Sequence, residues 1–311
     1  MWLTPTGRYD RGAHVDISVV IPSYNTAGTI GQTLDALSRQ VTSRTYEVIV
    51  VDCSETDDVQ TLCEKSGVAR VVRERKRFNP GEGRNIGARA ASGQLLVFVD
   101  ADVHLAEDAL EAAHRYYESG HFMFGGALEL DEQDATAASY LEHYFFNHEA
   151  QASRPECPRA NLSSALMVVE RELFLSAGGF ADIPRMQDTE LSERMARRGV
   201  SLTFTPTVLG KQIQDSPMRQ VLRKVRLNGQ NVYFIRYADA SWLKNAAFFA
   251  LLPAIAFAKV TRITLRHLRY QDARKRSITL RLAPLLYWAG AYWMAGFYAA
   301  LIFRRGISQS R

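Results

Sequence analysis

The sequence predicts an α/β fold built on a doubly wound, mostly parallel sheet, followed by a helical, membrane-associating C-terminal region. Three observations carry this. Strand and helix signals alternate from Asp16 to Asp102, an order that covers both faces of a parallel sheet with helices. The segment Gly93-Gln-Leu-Leu-Val-Phe-Val-Asp-Ala-Asp102 runs an unbroken apolar stretch, Leu95 to Val99, into two carboxylates. That is the pattern of a strand buried on both faces whose carboxyl end meets a ligand. Two charge-free segments, Asn245 to Ala258 and Leu282 to Phe303, dominate the last third of the chain.

The elements follow in order. Residues 1–15 form a lead-in. Asp16-Ile-Ser-Val-Val-Ile-Pro-Ser-Tyr-Asn25 is a β-branched strand closed by Pro22, which cannot continue a central ladder. Thr29 to Gln40 has apolar residues at Ile30, Leu34 and Leu37, which is helical spacing. Glu47 to Asp52 is a second strand ending in a carboxylate, and the polar loop Cys53 to Asp58 carries helix-capping chemistry ahead of a helix reaching Ser66. Val68 to Arg73 is a third strand, and Pro80 to Ala91 a helix of small residues. Beyond the Asp-Ala-Asp strand, helices are expected over Ala106–Ser119, Ala135–Ala152, Arg171–Ala177 and Met186–Arg198, and strands over Phe122–Leu130 and Asn161–Val169. Gly178-Gly179 ends one of these helices.

Composition narrows the class. The chain has 311 residues, 47% of them apolar and 23% charged, which is a globular balance with material for one large domain or two. The net charge of +5 is modest, and much of the basic excess lies after Lys211. That distribution suits an acidic partner or a lipid surface, and no nucleic-acid partner is expected. Cys53, Cys63 and Cys157 have no metal-ligand spacing, so reduced thiols in a cytosolic compartment are expected. Met1 to His14 has no apolar core and does not read as a secretory signal.

Asp100 and Asp102 are two residues apart, and in extended geometry both would face one side. Two like charges so placed suit a hard cation carrying a nucleotide diphosphate, since Mg²⁺ is held by one or two carboxylates plus substrate phosphates. A solvated Asp-Ala-Asp turn is the other reading of those three residues alone.

In order along the chain, these segments resemble the family-2 glycosyltransferases of the GT-A fold, from about Ile17 to Gly199. Val19-Val-Ile-Pro-Ser-Tyr-Asn25, Val51-Asp-Cys-Ser-Glu-Thr-Asp57, Gly83-Arg-Asn-Ile-Gly87, Asp100-Ala-Asp102, and Gly178-Gly-Phe180 followed by Gln187-Asp-Thr-Glu-Leu-Ser-Glu-Arg194 carry the resemblance. It implies a nucleotide-sugar donor, expected to be a UDP-sugar, and a Mn²⁺ or Mg²⁺ cofactor. Pro22, Tyr24 and Asn25 would wall the base and ribose, and Asp52 would accept from the base. Arg84 would lie near the base or diphosphate, Asp100 and Ala101 along the donor, and Asp102 on the metal. Asp188 would be the general base of an inverting displacement. The pattern departs from the family at Cys53, at Gln187 where Glu is usual, and near the diphosphate, where Lys211 stands in place of a His.

Residues 16–215 are thus expected to form the GT-A domain and residues 216–311 the membrane-associated region. Leu282 to Phe303 passes the length test for crossing a bilayer, while Asn245 to Ala258, interrupted by Pro253, falls short. Between them lie Arg262, Arg266, Arg269, Arg274, Lys275, Arg276 and Arg281. Two crossings would put this basic stretch outside, against the positive-inside preference. The first segment is therefore expected to lie in or re-enter the cytoplasmic interface, with the basic stretch on anionic headgroups, while the second spans or completes a shallow hairpin. The expected acceptor is a lipid-linked or cell-surface glycan at the cytoplasmic face of the membrane. A soluble acceptor, a non-catalytic assembly partner and a nucleotidyltransferase are the competing readings.

Overall fold

The computed structural model describes residues 15–183 and 186–303; the N-terminal lead-in up to residue 14 lies outside them. The strands are β1 (Ile17–Ser23), β2 (Tyr46–Asp52), β3 (Ala69–Arg73), β4 (Leu95–Val99), β5 (Val103–Leu105), β6 (Met123–Leu130), β7 (Cys157–Pro158), β8 (Leu166–Glu170) and β9 (Thr203–Gln212). The helices are α1 (Ile30–Ser38), α2 (Asp58–Ser66), α3 (Pro80–Ala90), α4 (Ala109–Glu118), α5 (Ala137–Phe146), α6 (Arg171–Ser176), α7 (Gln187–Arg197), α8 (Met218–Tyr237), α9 (Trp242–Tyr270) and α10 (Ala273–Phe303).

One mixed sheet runs in the order β3-β2-β1-β4-β8-β6-β9-β5, with β7 beside β9. The alternating first third of the chain makes the parallel part: β1 pairs in parallel with β2 and β4, and β2 with β3. Beyond β4 the pairings β4–β8, β6–β8, β5–β9 and β7–β9 are antiparallel. Pro22 does not close β1. The strand runs on to Ser23, because past Val20 it is flanked by β2 and no longer by β4, so the missing N–H leaves no gap in the β1–β4 ladder.

Three other expectations change. Asn161–Ala165 is not strand; β8 begins at Leu166, and the polar residues before it turn toward α7. The expected Ala135–Ala152 helix stops at Phe146, where Asn147 N–H closes onto His143 O and the chain turns again at Ala150. Asp57 does not cap α2 with its side chain; it pairs with Arg73 at 3.3 Å instead.

The described residues divide into two compact units. The sheet unit takes the chain through Glu129 with Arg154–Ile183 and Gln187–Ile213. Its core packs α3, α6 and α7 on the sheet through Val20, Val51, Phe98, Phe174, Phe180 and Leu191. Phe98, Phe174 and Phe180 form a triangle with centroids 5.0–5.4 Å apart. Burial of side chains this large contributes roughly 1.5–3 kcal/mol each. Gly87 lets α3 close on β1, since a Cβ there would lie 2.3 Å from Val20.

The helical unit contains Leu130–Ser153 and the chain from Gln214 onward. Its core joins α5, α8, α9 and α10 through Tyr144, Val225, Tyr233, Val260, Trp293 and Phe297. Pro253 does not interrupt the first apolar segment, because α9 continues through it for 29 residues. Among the described residues, α9 and α10 are long and apolar enough to cross a membrane.

Candidate active site

Asp100-Ala101-Asp102 is a turn rather than an extended strand end. Val103 N–H donates to Asp100 O at 3.0 Å and reverses the chain between β4 and β5. Ala101 is buried, and its carbonyl accepts from Thr33 Oγ1 at 3.0 Å. The two carboxylates therefore part company instead of sharing a face.

Asp100 turns toward α3, where it pairs with Arg84. The Arg84 side chain is 4% exposed and that of Asp100 32%, so a nearly buried cation meets an anion that still reaches solvent. Arg84 also lies 5.7 Å over the Phe180 ring, and its Nε has no hydrogen-bond partner among the described residues. A guanidinium paired through one terminal nitrogen keeps further donor capacity.

Asp188 opens α7 and faces the same pair. Its Oδ1 accepts from Thr189 N at 2.8 Å and its Oδ2 from Ser164 N at 3.4 Å. Burial pushes its pKa above the ordinary carboxylate range and the nearby Asp100 charge adds to this, while those backbone donors and Arg84 pull it down. A carboxyl raised in this way is a better proton acceptor than a solvated one. Three residues far apart in sequence, Arg84, Asp100 and Asp188, are thus brought together.

The carboxyl ends of β1 and β2 form the adjoining part. Asn25 holds φ of 55°, a left-handed turn that Asn tolerates, and its N–H donates to Ser54 Oγ at 2.7 Å. Tyr24 donates to Glu55 at 3.1 Å, and the Arg77 guanidinium lies 3.9 Å over its ring. Pro22 is half-buried beside them. Asp52 is fully buried: Oδ1 accepts from Ser23 and Ser54 hydroxyls, at 2.8 and 2.5 Å, and Oδ2 from Arg73 at 2.6 Å. In this structure its carboxylate ties β1, β2 and β3 together.

Asp102 faces β9. Gln212 Nε2 lies 3.2 and 3.4 Å from its two carboxylate oxygens, and Ile213 N–H donates to its carbonyl at 2.9 Å. Lys211 lies next along the strand, is exposed, and pairs in register with His104. Successive strand residues point to opposite faces, so Gln212 rather than Lys211 meets Asp102. Among the described residues no group of three or more His, Cys, Asp and Glu side chains could hold a metal ion. One carboxylate with an amide beside it suits a hard cation that takes its remaining oxygens from a diphosphate.

Other motif residues build the frame. Asn85 and Phe180 exchange two hydrogen bonds of 2.8 Å, locking α3 to the Gly178-Gly179 turn. Gly179 has φ of 68°, and a Cβ there would lie 2.4 Å from Asn85 Oδ1. Arg194 pairs with Glu190 at 2.8 Å and donates to the carbonyls of Ala177 and Gly179. Sequence reasoning missed Arg73, Ser54, Ser164 and Gln212. Only Arg73 left a signal, since it ends the strand beside the one that ends in Asp52.

The family model described as glycosyl transferase family 2 matches residues 18–174. Glycosyltransferase AglE of Haloferax volcanii is 24% identical over 275 residues, covering 86% of this chain and 88% of that protein. Among solved structures, the mannosyltransferase PcManGT from Pyrobaculum calidifontis, in complex with GDP-Man and Mn²⁺, superposes with a TM-score of 0.60 at 19% identity. That likeness covers 95% of this chain and 90% of the mannosyltransferase. S. aureus TarS 1-349 in complex with UDP-GlcNAc gives 0.51 at 15% identity, covering 94% and 92%. Both likenesses show the fold, and the fold is GT-A.

Proposed function

The chain belongs to glycosyl transferase family 2, and from that premise we propose that it moves a sugar from a nucleotide-diphosphate sugar to an acceptor hydroxyl, with inversion. The observation that carries this reading is the Arg84–Asp100–Asp188 grouping, a buried cation paired with one carboxylate that reaches solvent and close enough to a second, whose pKa burial raises, to act on its charge.

In the proposed reaction Asp188 takes the proton of the acceptor hydroxyl. The acceptor oxygen then bonds to the anomeric carbon as the bond from that carbon to the diphosphate oxygen breaks. Arg84 would offer its planar fork to the diphosphate side. Pro22, Tyr24 and Asn25 would line the base and ribose, with Asp52 fixing the strand ends that carry them. Ala101 would border the sugar. Asp102 with Gln212 beside it would hold Mn²⁺ or Mg²⁺ against the diphosphate, neutralising charge on the departing nucleotide.

A UDP-sugar is the proposed donor, in keeping with the UDP-GlcNAc held by the TarS neighbour. The GDP-Man of the mannosyltransferase neighbour is the competing chemistry. The proposed acceptor is a lipid-linked or cell-surface glycan at the cytoplasmic membrane face. The apolar helices α9 and α10 and their basic residues support it.

Thermal unfolding against a panel of nucleoside diphosphates and nucleotide sugars, with and without Mn²⁺, tests the donor part. A ligand that binds only the folded chain raises Tm by mass action. One nucleotide should raise it in a metal-dependent way, and Asp102→Ala should abolish the metal dependence. No shift with any nucleotide contradicts the reading.

A further inference from the structure

We infer that neither α9 nor α10 crosses the bilayer, and that the two helices form an in-plane seat whose outer apolar faces rest in one leaflet. The inference builds on the membrane part of the proposed function and concerns the helical unit alone.

The helices form a tight layer. α8 and α10 run in the same direction: Trp293 Nε1 donates to Asn228 Oδ1 at 3.1 Å, and further along Tyr233 meets Phe297 at 5.4 Å. α9 runs against both. Thr261 lies 2.8 Å from Tyr287 Oη, and at the other end Tyr298 Oη donates to Phe249 O at 2.8 Å.

α8 and α10 meet backbone to backbone. A Cβ on Gly229 would lie 2.0 Å from Trp293 O, and one on Gly296 1.8 Å from Arg226 O. Gly296 lies inside the charge-free stretch Leu282 to Phe303, whose length alone reads as a crossing. Yet the helix fused to it there carries Arg219, Arg223, Lys224, Arg226 and Arg236. A bilayer core around α10 would have to admit those cations, which is costly at that depth. The charge-free part of α9, Asn245 to Ala258, is only about 21 Å long at helical rise, short of the roughly 30 Å core.

Exposed large apolar side chains are concentrated on this pair of helices. Outside α9 and α10, the exposed large apolar residues among those described are Val41, Phe122 and Phe146. On α9 they include Trp242, 75% exposed, Phe249, Phe257 and Leu265, and on α10 Leu280 and Trp288. They run the whole length of the pair, and Leu265 and Leu280 stand among the arginines of residues 262–281. At that end of the pair, exposed apolar and basic side chains are mixed, which suits a headgroup boundary with anionic lipid.

The test uses the full chain with Cys157→Ser, bound to preformed vesicles of phosphatidylcholine and phosphatidylglycerol. Cys53 and Cys63 are buried, and one further cysteine at a time is placed at Ala238, in the α8–α9 turn, or Ala273, at the start of α10, both exposed positions. A membrane-impermeant maleimide added outside should label both turns at similar rates. Flotation should fall as salt rises from about 0.1 to 1 M, where the screening length drops from about 10 to 3 Å. Phe257→Glu should abolish flotation while nucleotide binding persists. Labelling of one turn only after detergent would mean a crossing and overturn the inference. Failure of the unsubstituted chain to float on any vesicle would overturn the membrane reading beneath it, leaving the donor chemistry untouched.

Discussion

Gln187 donates through its side-chain nitrogen to Asn79 Oδ1 at 2.6 Å and to Ile183 O at 2.7 Å. Asn79 Oδ1 also accepts from Glu82 N as the N-cap of α3. One amide thus ties the helix that carries Asp188 in its first turn to the helix that carries Arg84. Both of its partners are acceptors, so this position requires a donor, which explains glutamine where the family's pattern has glutamate.

Gln187→Glu should therefore be worse than Gln187→Ala near pH 7, because an ionised carboxylate would face two oxygens. Leaving buried polar groups unmatched costs about 1–3 kcal/mol, which lowers Tm by several degrees. The deficit relative to the alanine variant should shrink as pH falls toward about 4, because a carboxyl facing two oxygens takes up its proton above the ordinary carboxylate range and regains a donor. Thermal melts across pH read both effects.

Asp188→Asn should cost no stability near neutral pH. A carboxyl whose folded pKa is raised binds more protons folded than unfolded, so its stabilising effect is present at low pH and lost as pH rises through the folded value. Asparagine removes that loss and keeps an oxygen for Thr189 N–H. Equal or higher Tm at pH 7 is the expected result, with the advantage gone below pH 4. For the same reason the acid limb of kcat/KM should lie above the ordinary carboxylate range.

The metal should arrive with the nucleotide. With Asp102 and Gln212 side by side, Mn²⁺ titrated into the protein alone should bind weakly, and nucleoside diphosphate should tighten it at least about tenfold through the added phosphate oxygens. Gln212→Ala should reduce that tightening without removing metal-free nucleotide binding. Calorimetry with and without nucleotide distinguishes the two.

Gly179→Ala should unfold the motif frame. The residue sits at φ of 68°, and its Cβ would press Asn85 Oδ1 at 2.4 Å. Strain of this kind costs on the order of 1–3 kcal/mol, and Tm should fall accordingly. Gly67→Ala, at φ of 64° but with open space around it, should cost less.

What the sequence disclosed follows from how local each cause is. The β4 run and the small residues of α3 act on their own neighbours, so that strand, that helix and the place of Asp100 at the strand end were readable, while Arg84 and Asp188 were singled out by the family resemblance. The turn at Ala101 was readable only as an alternative, because Thr33 on α1, distant in sequence, helps to hold it. β9 escaped notice because Pro206 and Gly210 interrupt its pattern, although Thr203, Thr205, Val208 and Gln212 are buried in it. With that strand went Gln212, since a shift of one residue in register separates it from Lys211. Asp52 read as a free strand-end carboxylate because Ser23, Ser54 and Arg73 converge on it only in the fold.

The most direct test of the central claim is release of nucleoside diphosphate by the unsubstituted chain and by Asp188→Asn, with donor binding measured on the same samples. The account predicts that both bind the nucleotide sugar equally and that the asparagine variant turns over about 100-fold to 10,000-fold more slowly, the range for a lost general base. Undiminished turnover by Asp188→Asn, or release of pyrophosphate in place of nucleoside diphosphate, would contradict it.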